Sequence, residues 1–258
     1  MEFSLPEFPS APGAQAAFIA AGIAILPGLV LLLFPSSVGH FLGLESKETR
    51  PGGIGEVRAS GGFLLGLALA TLMFDQPVLY TALGIAFAVA AFGRILSLMS
   101  DRAASFLNFL LLLVQLVLAG ASLYYFFEVF TPDMQFAMPE EMNARLVFYA
   151  YIAVAVVGAV MMFAPRISCK IAGLDGISDM GYSAVRSAGG FALGAALVGM
   201  AVANPMMDLG FGAALAVAVV GRVIALVLNR GNYIYAAVAL LIEGALAAMV
   251  ISYVVGMM

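Results

Sequence analysis

Apolar residues run along this chain in eight long blocks, separated by short clusters of proline, glycine, charged and amide residues. Roughly 20 residues at ~1.5 Å each cross the ~30 Å hydrocarbon core of a bilayer, so each block is long enough for one transmembrane helix. The pattern predicts spans over residues 16–34, 57–74, 78–99, 103–127, 144–164, 185–203, 209–228 and 232–257. Between them, Phe34-Pro35, Asp75-Gln76-Pro77, Ala164-Pro165 and Asn204-Pro205 are stop and turn signals, as are Ser100-Asp101-Arg102 and Asn229-Arg230-Gly231. Pro27-Gly28 falls inside the first block, where a kink is expected. Residues 36–56 and 166–184 read as polar connectors, with Val57 and Val185 opening the spans that follow.

The blocks come in two sets of four. Val57-Arg58-Ala59-Ser60-Gly61-Gly62-Phe63-Leu64-Leu65-Gly66 returns as Val185-Arg186-Ser187-Ala188-Gly189-Gly190-Phe191-Ala192-Leu193-Gly194, with seven of ten positions identical at an offset of 128. The same offset carries Pro77 onto Pro205, Gly93-Arg94 onto Gly221-Arg222, and Gln115 onto Glu243. Self-similarity of this kind marks a duplicated unit. The expected division is an outer tail at 1–15, repeat 1 at 16–128, an outer linker at 129–143 and repeat 2 at 144–258. An even number of spans per copy gives both copies one orientation. The expected fold is therefore all-α and polytopic, with two parallel four-helix repeats related by a pseudo-twofold axis along the membrane normal.

Composition agrees. The chain is 64% hydrophobic and 10% charged, with a mean hydropathy of +1.08, far from the balance of a soluble domain. Ten of the eleven basic residues fall on the side of the 1–2, 3–4, 5–6 and 7–8 connectors, leaving only Arg145 opposite. The positive-inside rule then places that side in the cytoplasm and both termini on the outer side, which in a bacterial inner membrane is the periplasmic side. Tyr80, Tyr124, Tyr125, Tyr149, Tyr151 and Tyr253 fall near the outer helix ends and Tyr182, Tyr233 and Tyr235 near the inner ones, as an interfacial belt would. Cys169 and His40 are each the only residue of their kind, and Lys47 and Lys170 lie outside the spans. A disulfide, a multi-histidine metal site, a bis-histidine haem and an intramembrane Schiff base are thereby excluded within this chain. No cofactor, metal or catalytic set is expected, and basic residues confined to a membrane boundary give no support for nucleic-acid binding.

Three groups of residues stand out. Gly61, Gly62 and Gly66, with Gly189, Gly190 and Gly194, place small residues on one helical face, reading as a packing seam rather than a lipid groove. Arg58, Arg94, Arg186 and Arg222, with Glu56, Asp101, Asp179 and Asn229, gather guanidinium and carboxyl or amide groups at one level of each copy. The simpler reading is a salt-bridge network closing the bundle; the alternative is a site for an anionic headgroup or carboxylate. Gln115 and Glu243 lie deep in matching spans, where an interhelical hydrogen bond is favoured over a proton relay, because an amide fills one of the two places.

The pattern Glu56-x-Arg58-x-x-Gly61-Gly62, Gly93-Arg94 and Asp101 resembles a family of small four-helix bacterial membrane proteins known only as a domain of unknown function. The resemblance implies a tandem duplication of that domain and a fold without an activity. Copy two departs from it, with Ser183-Ala184 where the glutamate belongs and Asn229 at the acid position. The expected role is a non-catalytic accessory or scaffold subunit, in contact with membrane lipids and assembled as a homo-oligomer or within a larger membrane complex. The alternative is a binder or transporter of a small anionic or lipid-like molecule between the repeats.

Overall fold

The computed structural model describes residues 8–44, 52–129, 136–174, 177–228 and 233–257. The described residues form ten helices and no strand: α1 (Pro12–Leu33), α2 (Pro35–Phe41), α3 (Gly52–Phe74), α4 (Pro77–Ser100), α5 (Phe106–Val129), α6 (Met142–Phe163), α7 (Pro165–Ala172), α8 (Asp179–Ala201), α9 (Pro205–Leu228) and α10 (Tyr233–Met257). Eight of them are long and apolar enough to cross a membrane. Proline sits in the first turn of α1, α2, α4 and α7, where its missing N–H costs no helical bond.

The connectors expected between the first and second spans of each set are partly helical. The break at Phe34, and again at Ala164, is followed at once by the short helices α2 and α7. Each ends on a glycine with positive φ, Gly43 at 71° and Gly173 at 76°, the left-handed conformation that closes a helix without a Cβ clash. The second spans also begin earlier than Val57 and Val185. In α8 the Ser178 hydroxyl accepts from Gly181 N–H at 3.2 Å, and Asp179 stands in the first turn. This cap starts the helix six residues ahead of Val185 and places Arg186 inside it.

Neighbour relations arrange the spans in two rows, α1–α3–α9–α10 and α5–α4–α8–α6, joined at their ends by α1 against α5 and, more loosely, α6 against α10. The closest pairs, α3 with α9 and α4 with α8, each take one helix from each half. Glycine makes them possible. A Cβ on Gly62 would stand 2.4 Å from the Val217 carbonyl, and one on Gly190 would stand 2.5 Å from that of Val89. Gly66 and Gly194 press likewise on the backbones of Ala214 and Ala86, while Gly61 and Gly189 meet Leu31 on α1 and Met161 on α6. All six glycines of the repeated motif are thus used inside the molecule.

Aromatic side chains fill the space between the rows. Phe63 meets Phe191 edge-on at 6.3 Å and Phe211 at 5.6 Å, and Phe87 meets Phe191 at 5.1 Å. Such edge-to-face pairs add to area burial. At the end carrying the arginines, Leu44, Cys169, Ala172, Leu174 and Val185 form a second apolar cluster. There Ser178 N–H donates to Gly43 O at 2.9 Å, tying one connector to the other.

Candidate functional site

Four arginines near one end of the bundle are almost fully buried: Arg58, Arg94, Arg186 and Arg222. Arg58 and Arg186 reach back to the last turns of α1 and α6. Arg58 Nη1 donates to Leu32 O at 2.7 Å, and Arg186 Nη1 to Met162 O at 2.6 Å. Carbonyls in a last helical turn lack intrahelical donors and carry the negative end of the dipole, so a guanidinium there acts as a cap.

Two of the remaining partners, Asp101 and Glu56, come from the opposite half. Arg186 grips Asp101 through Nε to Oδ2 at 2.6 Å and Nη2 to Oδ1 at 3.1 Å. Asp101 ends α4, outside the spans. Burial works against its charge, but the Arg186 guanidinium outweighs this and holds the carboxyl below its ordinary range. Arg222 stands between two carboxylates. Glu56 of α3 accepts from Nη1 and Nη2 at 2.9 and 2.8 Å, and Glu243 of α10 accepts from Nε and Nη2 at 2.5 and 2.6 Å. The Tyr235 hydroxyl adds a bond to Glu56 at 2.7 Å. Glu56 therefore turns to Arg222 rather than to Arg58 two positions on, and Asp101 to Arg186 rather than to Arg94 on its own helix.

Arg94 has amides where Arg222 has acids. Its Nε donates to Gln115 Oε1 at 2.9 Å and its Nη1 to Asn108 Oδ1 at 2.8 Å. Gln115 Nε2 then donates to Ser187 Oγ at 2.6 Å, and Ser183 Oγ donates to Asn108 Oδ1 at 2.8 Å, both from α8. Asn108 and Ser183 are fully buried, whereas Glu56 and Glu243 leave 24% and 23% of their side chains exposed. The two centres match in sequence at Arg94 and Arg222 and at Gln115 and Glu243, yet differ in charge. One joins a cation to neutral amides and the other joins a cation to two anions.

Asp179 is exposed in the first turn of α8, and Asn229 lies outside the described residues. Asn108 has no role in the sequence pattern, and Ser183, Ser187 and Tyr235 stand there only as a motif departure, a motif position and a belt residue. A polar residue at 108 inside an apolar block was the signal for the first of them. Tyr80 and Tyr151, expected in an interfacial belt, are instead interior residues that donate to Asp75 at 2.8 Å and Asp208 at 2.7 Å. Near this opposite end a cleft of about 210 Å³ lies between α6 and α10, lined by Glu141, Asn143 and Tyr253 among others. No group of three or more metal-ligating side chains occurs among the described residues.

Eight apolar spans whose polar side chains bond one another across the bundle define a multi-pass, all-helical integral membrane protein. Comparison with protein-family models, characterised proteins and solved structures returns no match.

Proposed function

We propose that this chain is a non-catalytic accessory or scaffold subunit of a membrane assembly. It would be built as a tandem duplication, with its halves side by side in one orientation and its arginine-rich end in the cytoplasm of a bacterial inner membrane. The observation that carries this reading is the engagement of the polar groups within and beside the spans. Arg94, Arg186 and Arg222, with Glu56, Asp101, Gln115 and Glu243, are bonded to one another and brace α3, α4, α5, α8, α9 and α10. Polar groups used in this way fix a rigid body rather than present a reacting centre. The outer helices meanwhile offer apolar residues such as Leu26, Leu113, Val157 and Leu241 outward, to lipid or to neighbouring subunits.

Extraction of the tagged chain from its native membrane in mild detergent tests this. The expected result is a defined homo-oligomer or a larger complex of constant stoichiometry, with a tag at either terminus reached only from the outer side. A lone monomer would remove the scaffold reading. The alternative, an anion carrier using all four arginines, has less support because three of the four guanidiniums are taken.

A further inference from the structure

Arg58 stands apart from the other three. The residue is 8% exposed, its Nε is buried without any hydrogen-bond partner, and its one bond among the described residues is that from Nη1 to Leu32 O. A guanidinium is planar, permanently charged and carries its donors in fixed directions. With Nη1 held on the carbonyl, the edge formed by Nε and Nη2 is aimed elsewhere.

Arg186, 128 positions on, shows what this edge accepts in the same setting. Its Nη1 is held on Met162 O in the same way, and its Nε and Nη2 grip the Asp101 carboxylate. The residue matching Asp101 at that offset is Asn229, an amide. Arg58 therefore repeats the arginine and its cap, while the second half does not repeat the acid. Depth selects the chemistry of what replaces it. Leu32 lies in the last turn of α1, and Arg58 is six residues, ~9 Å, into α3. In the proposed topology that level is close to the helix ends, within reach of phospholipid phosphates. Two oxygens on one phosphorus suit the paired donors as a carboxylate does.

We propose that the Nε/Nη2 edge of Arg58 is a phosphate-binding site, taking either the phosphodiester of an anionic phospholipid or inorganic phosphate. The site stands independently of the scaffold role and narrows the four-arginine reading to a single residue.

The test uses the full chain in detergent. Native mass spectrometry reads retention of added phosphatidylglycerol against phosphatidylcholine, and thermal shift reads the effect of inorganic phosphate alone. The wild type is expected to keep one phosphatidylglycerol per chain in preference to phosphatidylcholine. Arg58→Lys, which keeps the charge but loses the fork, should weaken retention roughly 10- to 100-fold, the loss of one charge-assisted hydrogen bond. Asn229→Asp restores an acid at the position that matches Asp101 in sequence, and it should abolish retention while the melting temperature stays at or above that of the wild type. Stabilisation by inorganic phosphate without lipid retention assigns the site to the free anion. Unchanged retention in Asn229→Asp or in Arg58→Lys, or no effect of either probe, overturns the proposal. So does a loss of melting temperature in Glu45→Gln or Glu48→Gln as large as in Arg58→Lys, since the edge then belongs to a carboxylate of this chain.

Discussion

Asp101 and Arg186 carry the best-defined charge pair, with both partners buried and both carboxylate oxygens used. Removing one member leaves the other charged without a partner, which costs about 3–5 kcal/mol. Arg186→Ala is therefore expected to lower the melting temperature sharply in detergent, more than the same change at exposed Arg166. The pair also sets a pH dependence. The folded carboxyl binds its proton less readily than the unfolded one, whose value is ~3.9, so the pairing stabilises the fold fully above that value. The contribution drains as the pH falls through the lower folded value. Thermal melts from neutral pH to pH 3 should show this decline in the wild type and a flatter profile in Asp101→Asn; equal slopes would detach the carboxyl from stability. The sequence made these residues visible, since an arginine in or beside an apolar block is conspicuous. It did not reveal who pairs with whom. Asp101 sits seven residues after Arg94, one face of one helix on paper, yet the chain has already turned out of α4 at Asp101.

Among the helices, close approach at glycine holds the two central pairs together. At Gly62 and Gly190 a methyl group would meet a carbonyl oxygen on the facing helix at 2.4 and 2.5 Å. Backbone cannot move aside as a side chain can, so Gly62→Ala and Gly190→Ala should each destabilise by about 1–3 kcal/mol. Gly120 and Gly244 have nothing within 4 Å of the same added atom. Alanine there should leave stability unchanged or raise it by ~0.5–1 kcal/mol through helix propensity. Equal effects at all four positions, read by thermal unfolding, would show that the seams do not depend on tight contact. The eight spans and their order were legible because a hydrophobic run long enough for a bilayer is an unambiguous signal, whereas the short helices α2 and α7 were not. The starts of α3 and α8 were not either, because Gly52–Glu56 and Asp179–Ala184 mix glycines with charged and polar residues. Hydropathy reads such turns as loop, whereas in α8 the Ser178 cap continues the helix through them.

At the scale of the molecule, the recurring sequence pattern suggests two four-helix repeats, and the packing joins the two sides of the chain more closely than separate bundles would be. The α3–α9 and α4–α8 seams, the Phe63–Phe191 contact, the Arg186–Asp101 pair and the Arg222–Glu56 pair each take one partner from either side of residues 130–135. An offset in sequence states which residues are alike, not which surfaces abut, so this exchange could not be read from the chain. It has a direct consequence for each half alone. Separated, the first half would expose Gly62, Gly66 and Phe63 to lipid and leave Glu56 and Asp101 without their guanidiniums. The second would carry Arg186 and Arg222 with one carboxylate between them. Intramembrane charges without partners are costly, ~2.5–3.5 kcal/mol each even on permissive scales. A chain cut between residues 130 and 135 is therefore expected to fail as either fragment expressed singly, giving aggregated or degraded product. Expressed together, the fragments should reassemble and co-purify through one tag, because every broken contact is restored except the linker. Glu56→Ala together with Asp101→Ala in the first fragment should abolish that co-purification. Recovery of either fragment as a stable, monodisperse species by itself would show that the halves fold independently and that the cross-half pairs are secondary.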